Sequence, residues 1–248
     1  VEVDGAAYWM SDNGFFRYTG QLQSMQCLVE DYVYDDLNTS SNQLVYCGIN
    51  NLFGEITWFY CTSGSNVVDR SVTYSYLDST AERPIWFTNA SSIFPRTTWE
   101  DSAVFGLPHA TQYDADTDTC DTVGNTDGIS IYYEHETGVN YIKGGTSFAV
   151  PASITSGDYD ITQDQREGIS FRGDGEFIMR VSRIIPDFIT QTGNAIVQLD
   201  LRDYPNDAAT SSPLGPFTLT PTTTKVDTRA RARQIALTIS NTAVDSNW

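Results

Sequence analysis

The chain has 248 residues, 40% of them hydrophobic and 12% aromatic, and a formal net charge of −18 from 14 bases and 32 acids. That length and apolar content exclude a disordered tail and allow one large β domain or two ordinary ones. The acid excess excludes a surface built to grip nucleic acid, because such surfaces neutralise phosphates with clustered Lys and Arg.

Ala6–Met10 and Phe15–Tyr18 are short apolar and aromatic runs joined by Ser11-Asp12-Asn13-Gly14, which predicts a hairpin with the Asn-Gly signal at its tip. Residues 28–38 place Leu28, Tyr32 and Leu37 near helical spacing, and a short helix or an irregular crossover fits equally well. The clearest local grammar follows. LVYCGIN (Leu44–Asn50), the turn Asn51–Gly54, EITWFYC (Glu55–Cys61) and VVDRSVTYSY (Val67–Tyr76) read as an antiparallel meander, with Val72, Tyr74 and Tyr76 on one face. Ile85–Phe87 and Thr97–Trp99 are expected at the edges of a next β unit, and Asp101–Leu107 as a further short run. An acidic insertion, Asp114–Asp127, precedes a strand at Gly128–Tyr133. Trp9, Trp58 and Trp99 mark aromatic strand units spaced as propeller blades are, although no WD or kelch signature is present; a multi-stranded sandwich without a true repeat is the other reading.

Past Pro151 the texture changes. Ile154–Ile161, Ile169–Phe171, Glu176–Ile185, Ala195–Leu201, Pro216–Thr220 and Gln234–Ser240 are separated by Pro, Gly and Asn breaks and predict a compact β-sandwich-like domain. The expected fold is therefore all-β, with propeller-like blades over residues 1–147, an incomplete set, and a sandwich-like platform over 148–248. Charge divides similarly: residues 1–150 carry 20 acids and 5 bases, and 151–248 carry 12 acids and 9 bases. The chain opens VEVDG without Met and closes on SNW, which reads as a fragment of a longer protein or a processed mature chain. No apolar run approaches the ~20 residues of a membrane helix, so membrane insertion is not expected.

Chemistry-bearing residues are sparse. Asp114, Asp116 and Asp118 alternate as calcium-loop carboxylates do, but the Gly and Glu of a calcium loop are replaced by Thr119 and Asn125, so a solvated acidic loop is the preferred reading and calcium the only cofactor in question. His135 lies between Glu134 and Glu136, neighbours that would favour its protonated form. With His109 it makes up the chain's histidines, and neither GxSxG nor HExxH accompanies them, so structural or surface roles are expected. Carboxylate pairs such as Glu100 and Asp101 would suit glycoside cleavage, but an acidic chain produces such pairs by chance. Cys47 and Cys61 flank the Asn51–Gly54 turn and are placed to face each other; two buried free thiols are preferred to a disulfide. Asn38-Thr39-Ser40 and Asn89-Ala90-Ser91 match the glycosylation pattern and predict exposed loops. Arg229, Arg231 and Arg233 alternate on one face of an extended strand that Ile235, Leu237 and Ile239 continue. An interface clamp onto carboxylates and a solvated strand start are the two readings of these arginines.

Several phrases resemble a phage structural family. They are LVYCGIN, EITWFY, DRSVTYSY, RTTWED, ISIYYEHETG, ITSGDYDI, FIMRVSRIIPDF, LRDYPN and TKVDTRARARQIALTI. They are similar to the tail hub or nozzle proteins of tailed bacteriophages, also called packaged-DNA stabilisation proteins, over nearly the whole chain and most strongly from Ile154 to Ile239. The resemblance implies a propeller-like domain beside a β-rich platform. It also implies a homo-oligomeric ring around the tail channel, in contact with other phage tail proteins and closing the channel until DNA is ejected. Members commonly extend past a Trp-Arg-Leu-Gly phrase, whereas this chain stops at Trp248, and Asp114–Asp121 departs from the pattern as an insertion. The expected function is a non-enzymatic virion subunit, assembled in the host cytoplasm and passing DNA without sequence-specific binding. A glycan-binding host-recognition module and a β-propeller glycosidase are the alternatives.

Overall fold

Short runs of β-branched and aromatic residues, broken every few positions by turn formers, become strands of an all-β chain in a computed structural model. The structure describes residues 1–90, 95–114, 129–143, 145–161, 177–204, 213–241 and 243–248. It divides into two compact units, Val1–Thr137 and Gly138–Trp248.

The first unit begins with a four-stranded antiparallel sheet, β1 (Glu2–Val3), β2 (Ala6–Ser11), β3 (Gly14–Tyr18) and β4 (Leu22–Met25), in chain order. Ser11 pairs with Gly14, so the hairpin tip is Asp12-Asn13 and the Asn-Gly step enters the second strand. Residues 28–38 contain one helical segment, α1 (Glu30–Tyr34). Five residues are too few to be helical on their own. Burial of Val33 and the Tyr34 hydroxyl, which donates to the Ser11 carbonyl at 3.0 Å, hold it in place.

The meander forms as expected: β5 (Tyr46–Asn50), β6 (Glu55–Tyr60) and β7 (Arg70–Ser75) pair in sequence. β8 (Ile85–Asn89) then pairs with β7 and completes this sheet, where the sequence reading assigned Ile85–Phe87 to the next unit. A three-stranded sheet follows, β9 (Thr98–Glu100), β10 (His109–Asp114) and β11 (Ile129–Glu134), in the order β11-β10-β9. Residues 101–107 form no strand, and 103–107 are turns and bends, in place of the short run expected. The strand missed, β10, is HATQYD, whose polar residues hide the period-two pattern.

Side-chain alternation makes the β5–β8 sheet a shared wall. On one face, Cys47, Ile49, Ile56, Trp58, Tyr60, Val72, Tyr74 and Trp86 join Tyr8, Phe15 and Val33 in the main core. Phe15 packs at 5.0 Å from Trp58 and 4.8 Å from Trp86, ring centre to ring centre, in tilted geometry. On the opposite face, Phe59, Cys61 and Val68 pack with Trp99. Three blade-like sheets therefore lie in succession, and the described residues show no closure into a ring.

Two sequence expectations change here. Trp9, Trp58 and Trp99 do not occupy equivalent places. Trp58 is buried in the core, Trp9 is exposed and stacks on Phe16 at 5.8 Å, and Trp99 sits on a first strand. Cys47 and Cys61 do not face each other either. Cys47 pairs with Trp58 and points into the main core, while Cys61 belongs to the opposite face, and both are free thiols. An even–odd difference along one strand suffices to separate them. Burial pushes the Cys47 thiol up to about 12, so it stays protonated and unreactive.

The second unit opens with a hairpin, β12 (Asn140–Lys143) and β13 (Thr146–Ala149). Six strands follow: β14 (Ala152–Thr155), β15 (Met179–Ile184), β16 (Ala195–Arg202), β17 (Leu214–Leu219), β18 (Val226–Ala232) and β19 (Gln234–Asn241). They form a sheet of order β14-β19-β16-β17 and a two-stranded ribbon, β15-β18. The ribbon lies on the sheet: Met179, Val181, Ala230 and Ala232 pack against Leu199, Leu201, Ile235 and Leu237. The expected run Ile169–Phe171 lies outside the described residues.

β18 buries Thr228, whose hydroxyl has no hydrogen-bond partner among the described residues. An unpaired buried hydroxyl costs on the order of 1–3 kcal/mol. Thr228→Val keeps the shape and removes the hydroxyl, so it is expected to raise the urea midpoint by the equivalent of about 1 kcal/mol.

Candidate functional site

The face of β5–β8 directed toward β9–β11 carries a polar layer. Alternation places Asn50, Glu55, Thr57, Thr73 and Ser75 on this face, beside the packed Phe59. The Thr57 and Thr73 hydroxyls bond each other at 2.8 Å across paired positions. The Asn50 amide donates to Glu136 Oε1 at 2.8 Å, and Glu136 adopts a left-handed backbone with φ 61°. Ser75 donates to Asp78 at 3.2 Å. Asp101 accepts from the Asn51 backbone N–H at 2.6 Å and from its side-chain amide at 3.0 Å, so this carboxylate caps the β5–β6 turn. The carboxylate pair considered for glycoside cleavage is thereby divided: Asp101 serves the turn, while Glu100 ends β9 opposite His109.

Burial raises the Glu55 carboxyl above the ordinary carboxylate range, and the Glu136 and Asp78 charges add to the shift. Burial raises Glu136 as well, opposed by the Asn50 hydrogen bond. Chemically, the layer can retain protons that exposed carboxylates lose. Its partners Asn50, Asn51 and Ser75 are committed to sheet and turn contacts.

Beside it lies a buried cation. Arg96 is only 2% exposed, with its guanidinium carbon 4.2 Å from the centre of the Tyr133 ring. Its Nε–H donates to His135 Nε2 at 2.9 Å, and Nη1 donates to the Pro95 carbonyl at 2.9 Å and Gln112 Oε1 at 3.0 Å. A donor aimed at Nε2 requires neutral imidazole with its proton on Nδ1. This reverses the sequence expectation for His135. Burial, then Arg96, then His109 lower its pKa from 6.5 to about 3, and the adjacent glutamates in sequence do not set its charge. The His135 ring also packs at 4.5 Å from Trp99. Sequence reasoning missed Arg96 entirely, since a lone arginine after Pro95 carries no pattern. Glu55 had a weak signal as the polar start of an otherwise apolar strand.

The two groups predict opposite pH effects. Below 6.5 the unfolded state protonates His135 while the folded state does so only near pH 3, so stability falls as pH drops through that window. Glu55 behaves inversely: its folded-state pKa lies above 4.5, so the folded state binds the extra proton and stability falls as pH rises through the window above that value. Urea midpoints measured against pH are expected to lose their acid-side decline in His135→Gln. In Glu55→Gln they lose the decline on the alkaline side of the carboxylate range.

The other sequence candidates resolve as follows. Asp114 ends β10, while Asp116 and Asp118 lie outside the described residues. Among the described residues no group of three His, Cys, Asp or Glu is placed to hold a metal ion. No helix among them is long and apolar enough to cross a membrane, a statement that does not bear on β-barrels. Asn38 is not a free loop residue: its side chain accepts from the Ser40 backbone and donates to the Ser65 carbonyl at 2.8 Å. Asn89 lies within β8.

The arginine stripe is shorter than expected. Arg229 and Arg231 are exposed on β18, but the chain bends at Arg233, whose guanidinium lies over Tyr204 at 5.5 Å. Ile235, Leu237 and Ile239 belong to β19 in a different sheet and do not continue the arginine face. The bend changes the parity: Ala230 and Ala232 point inward before it and Ile235 after it.

The chain matches no protein-family model, and comparison with curated proteins gives no match.

Proposed function

We propose that the chain is a non-enzymatic virion component, a tail hub or nozzle subunit whose copies ring the DNA-ejection channel and retain the packaged DNA. The observation that carries this reading is the charge of the first unit. Residues 1–137 hold 20 acids and only four bases, and one of those bases, Arg96, is buried among His135, Gln112 and Tyr133. An acidic wall repels phosphates at short range, so a duplex inside it slides and does not adhere. The polar side chains of this region support the same reading, since Asp101, Asn50 and Arg96 serve turns and sheet contacts. Negative-stain microscopy of the purified chain is expected to show rings with an open lumen. Particles that remain monomeric at high concentration would exclude a ring-forming subunit.

One observation favours a second reading, glycan binding in host recognition. Trp9 and Phe16 stack at 20° on the outer face of the first sheet, with Trp9 37% exposed and Tyr18 half exposed. Flat exposed aromatics of this kind suit the apolar face of a sugar ring. A glycan-array signal abolished by Trp9→Ala would select this reading over the channel subunit.

A further inference from the structure

The outer face of the β15–β18 ribbon concentrates positive charge in an acidic protein. The register sets Arg180 directly opposite Arg231, with Arg183 opposite Asp227. Arg180, Arg229 and Arg231 are exposed, and their side chains make no hydrogen bond or ion pair among the described residues. Asp227 is shared: Arg183 Nε meets it at 2.8 Å and Lys225 Nζ at 3.3 Å. Five bases thus flank one acid on a single two-stranded surface. They cannot turn inward, because the other face of the ribbon packs Met179, Val181, Ala230 and Ala232 on the core. Like charges directly opposite across a strand pair destabilise it, and here the one acid within the two ribbon strands, Asp227, is already engaged twice.

We infer that this ribbon face is the basic half of a contact between copies, docking on carboxylates of the first unit of a second copy. The inference rests on the ring reading above and adds the surface through which the ring is joined. The charge distribution names the occupant. The second unit, residues 138–248, has ten bases, and half of them are on this ribbon or, as Lys225 is, next to it, whereas the first unit has 20 acids for four bases. A basic patch on one unit meeting an acidic surface on another is a heterologous contact, the type that propagates into rings. Guanidinium groups are suited to it because each can hold a carboxylate with two parallel N–H donors. Arg180 joins Arg229 and Arg231 as a contact residue, and Arg233, held at the bend over Tyr204, is not one. Duplex phosphate is the less favoured occupant, since a chain of net charge −18 repels it.

The test uses the full chain, with assembly followed by mass photometry and sedimentation. Arg180→Glu combined with Arg231→Glu is expected to raise the concentration for half-assembly by about a hundredfold, since reversed charges at a contact cost several kcal/mol. Arg180→Lys with Arg231→Lys, also assayed, is expected to keep assembly, and the circular dichroism of both variants should match the parent. In the Lys variant, a zero-length carbodiimide crosslinker applied to mixed isotope-labelled and unlabelled copies is expected to join Lys at 180 or 231 to acids within residues 1–137 of another copy. Unchanged assembly of the Glu variant, or crosslinks confined to one copy, would overturn the inference while leaving a ring intact. A parent chain that stays monomeric would overturn the ring reading and this contact together. Loss of duplex binding with assembly preserved would assign the face to nucleic acid and overturn it as a subunit contact.

Discussion

Trp58→Ala is expected to destabilise the protein by about 3–5 kcal/mol, the range for truncating a fully buried tryptophan. Trp58 is 1% exposed and stands at the centre of the largest core. Phe15 contacts it at 5.0 Å and Trp86 at 6.1 Å, ring centre to ring centre, and these rings belong to different strands, β3, β6 and β8. Its loss therefore leaves a void between two sheets, neither of which can move in without breaking its own ladder. Urea unfolding monitored by near-ultraviolet circular dichroism reads the effect, with a lower midpoint and an unchanged slope. A shift below about 1 kcal/mol would show that the two sheets do not share this core.

The second large effect comes from the opposite face of the same sheet and has the opposite cause. Gly48→Ala adds one methyl group and is expected to cost about 3 kcal/mol, at the upper end for overpacking. A Cβ at position 48 would lie 2.4 Å from Trp99 Cγ and 2.6 Å from Cδ1. Trp99 has little freedom to withdraw. Its Nε1–H donates to the Ile49 carbonyl at 2.6 Å, its own carbonyl accepts from the Tyr46 hydroxyl at 3.0 Å, and its ring packs on Phe59 and His135. Glycine is thus needed for close approach of the indole, which is a steric requirement. Pairing Gly48→Ala with Trp99→Leu should recover part of the loss, because the two residues compete for one space.

The two substitutions define the first unit mechanically. One sheet presents an apolar aromatic face to the sheet before it. To the sheet after it, the same strands present a mixed face of Trp99, Phe59 and hydrogen-bonded polar groups. The polar layer is what a pH change reaches, through His135 and Glu55, while the apolar face has no titrating group engaged in the pH effects predicted above.

Much of this was legible in the residues. The all-β class, the β5–β7 meander and the strands at 195–202 and 234–241 follow from alternation and turn formers, signals local enough to read without tertiary contacts. So was the side-chain inventory that excludes a membrane helix and makes the first half acidic. The misses have specific causes. β10 is polar because it pairs within a sheet whose interface holds hydrogen bonds, and β18 was read as the start of β19 because nothing in RARARQ marks the bend at Arg233. Trp9 and Trp58 look alike in sequence, but only the second is directed at the core.

By itself, then, the sequence determined composition-level properties and the period of each strand, because backbone alternation is a property of neighbours in the chain. Only the tertiary structure decided which sheet each face meets. It put Cys47 and Cys61 on opposite sides of one sheet, joined the charged Arg96 to a neutral His135, and set Arg180 opposite Arg231 from strands far apart in the chain. Those outcomes depend on desolvation and on contacts between distant segments, and neither is encoded in the spacing of residues along the chain.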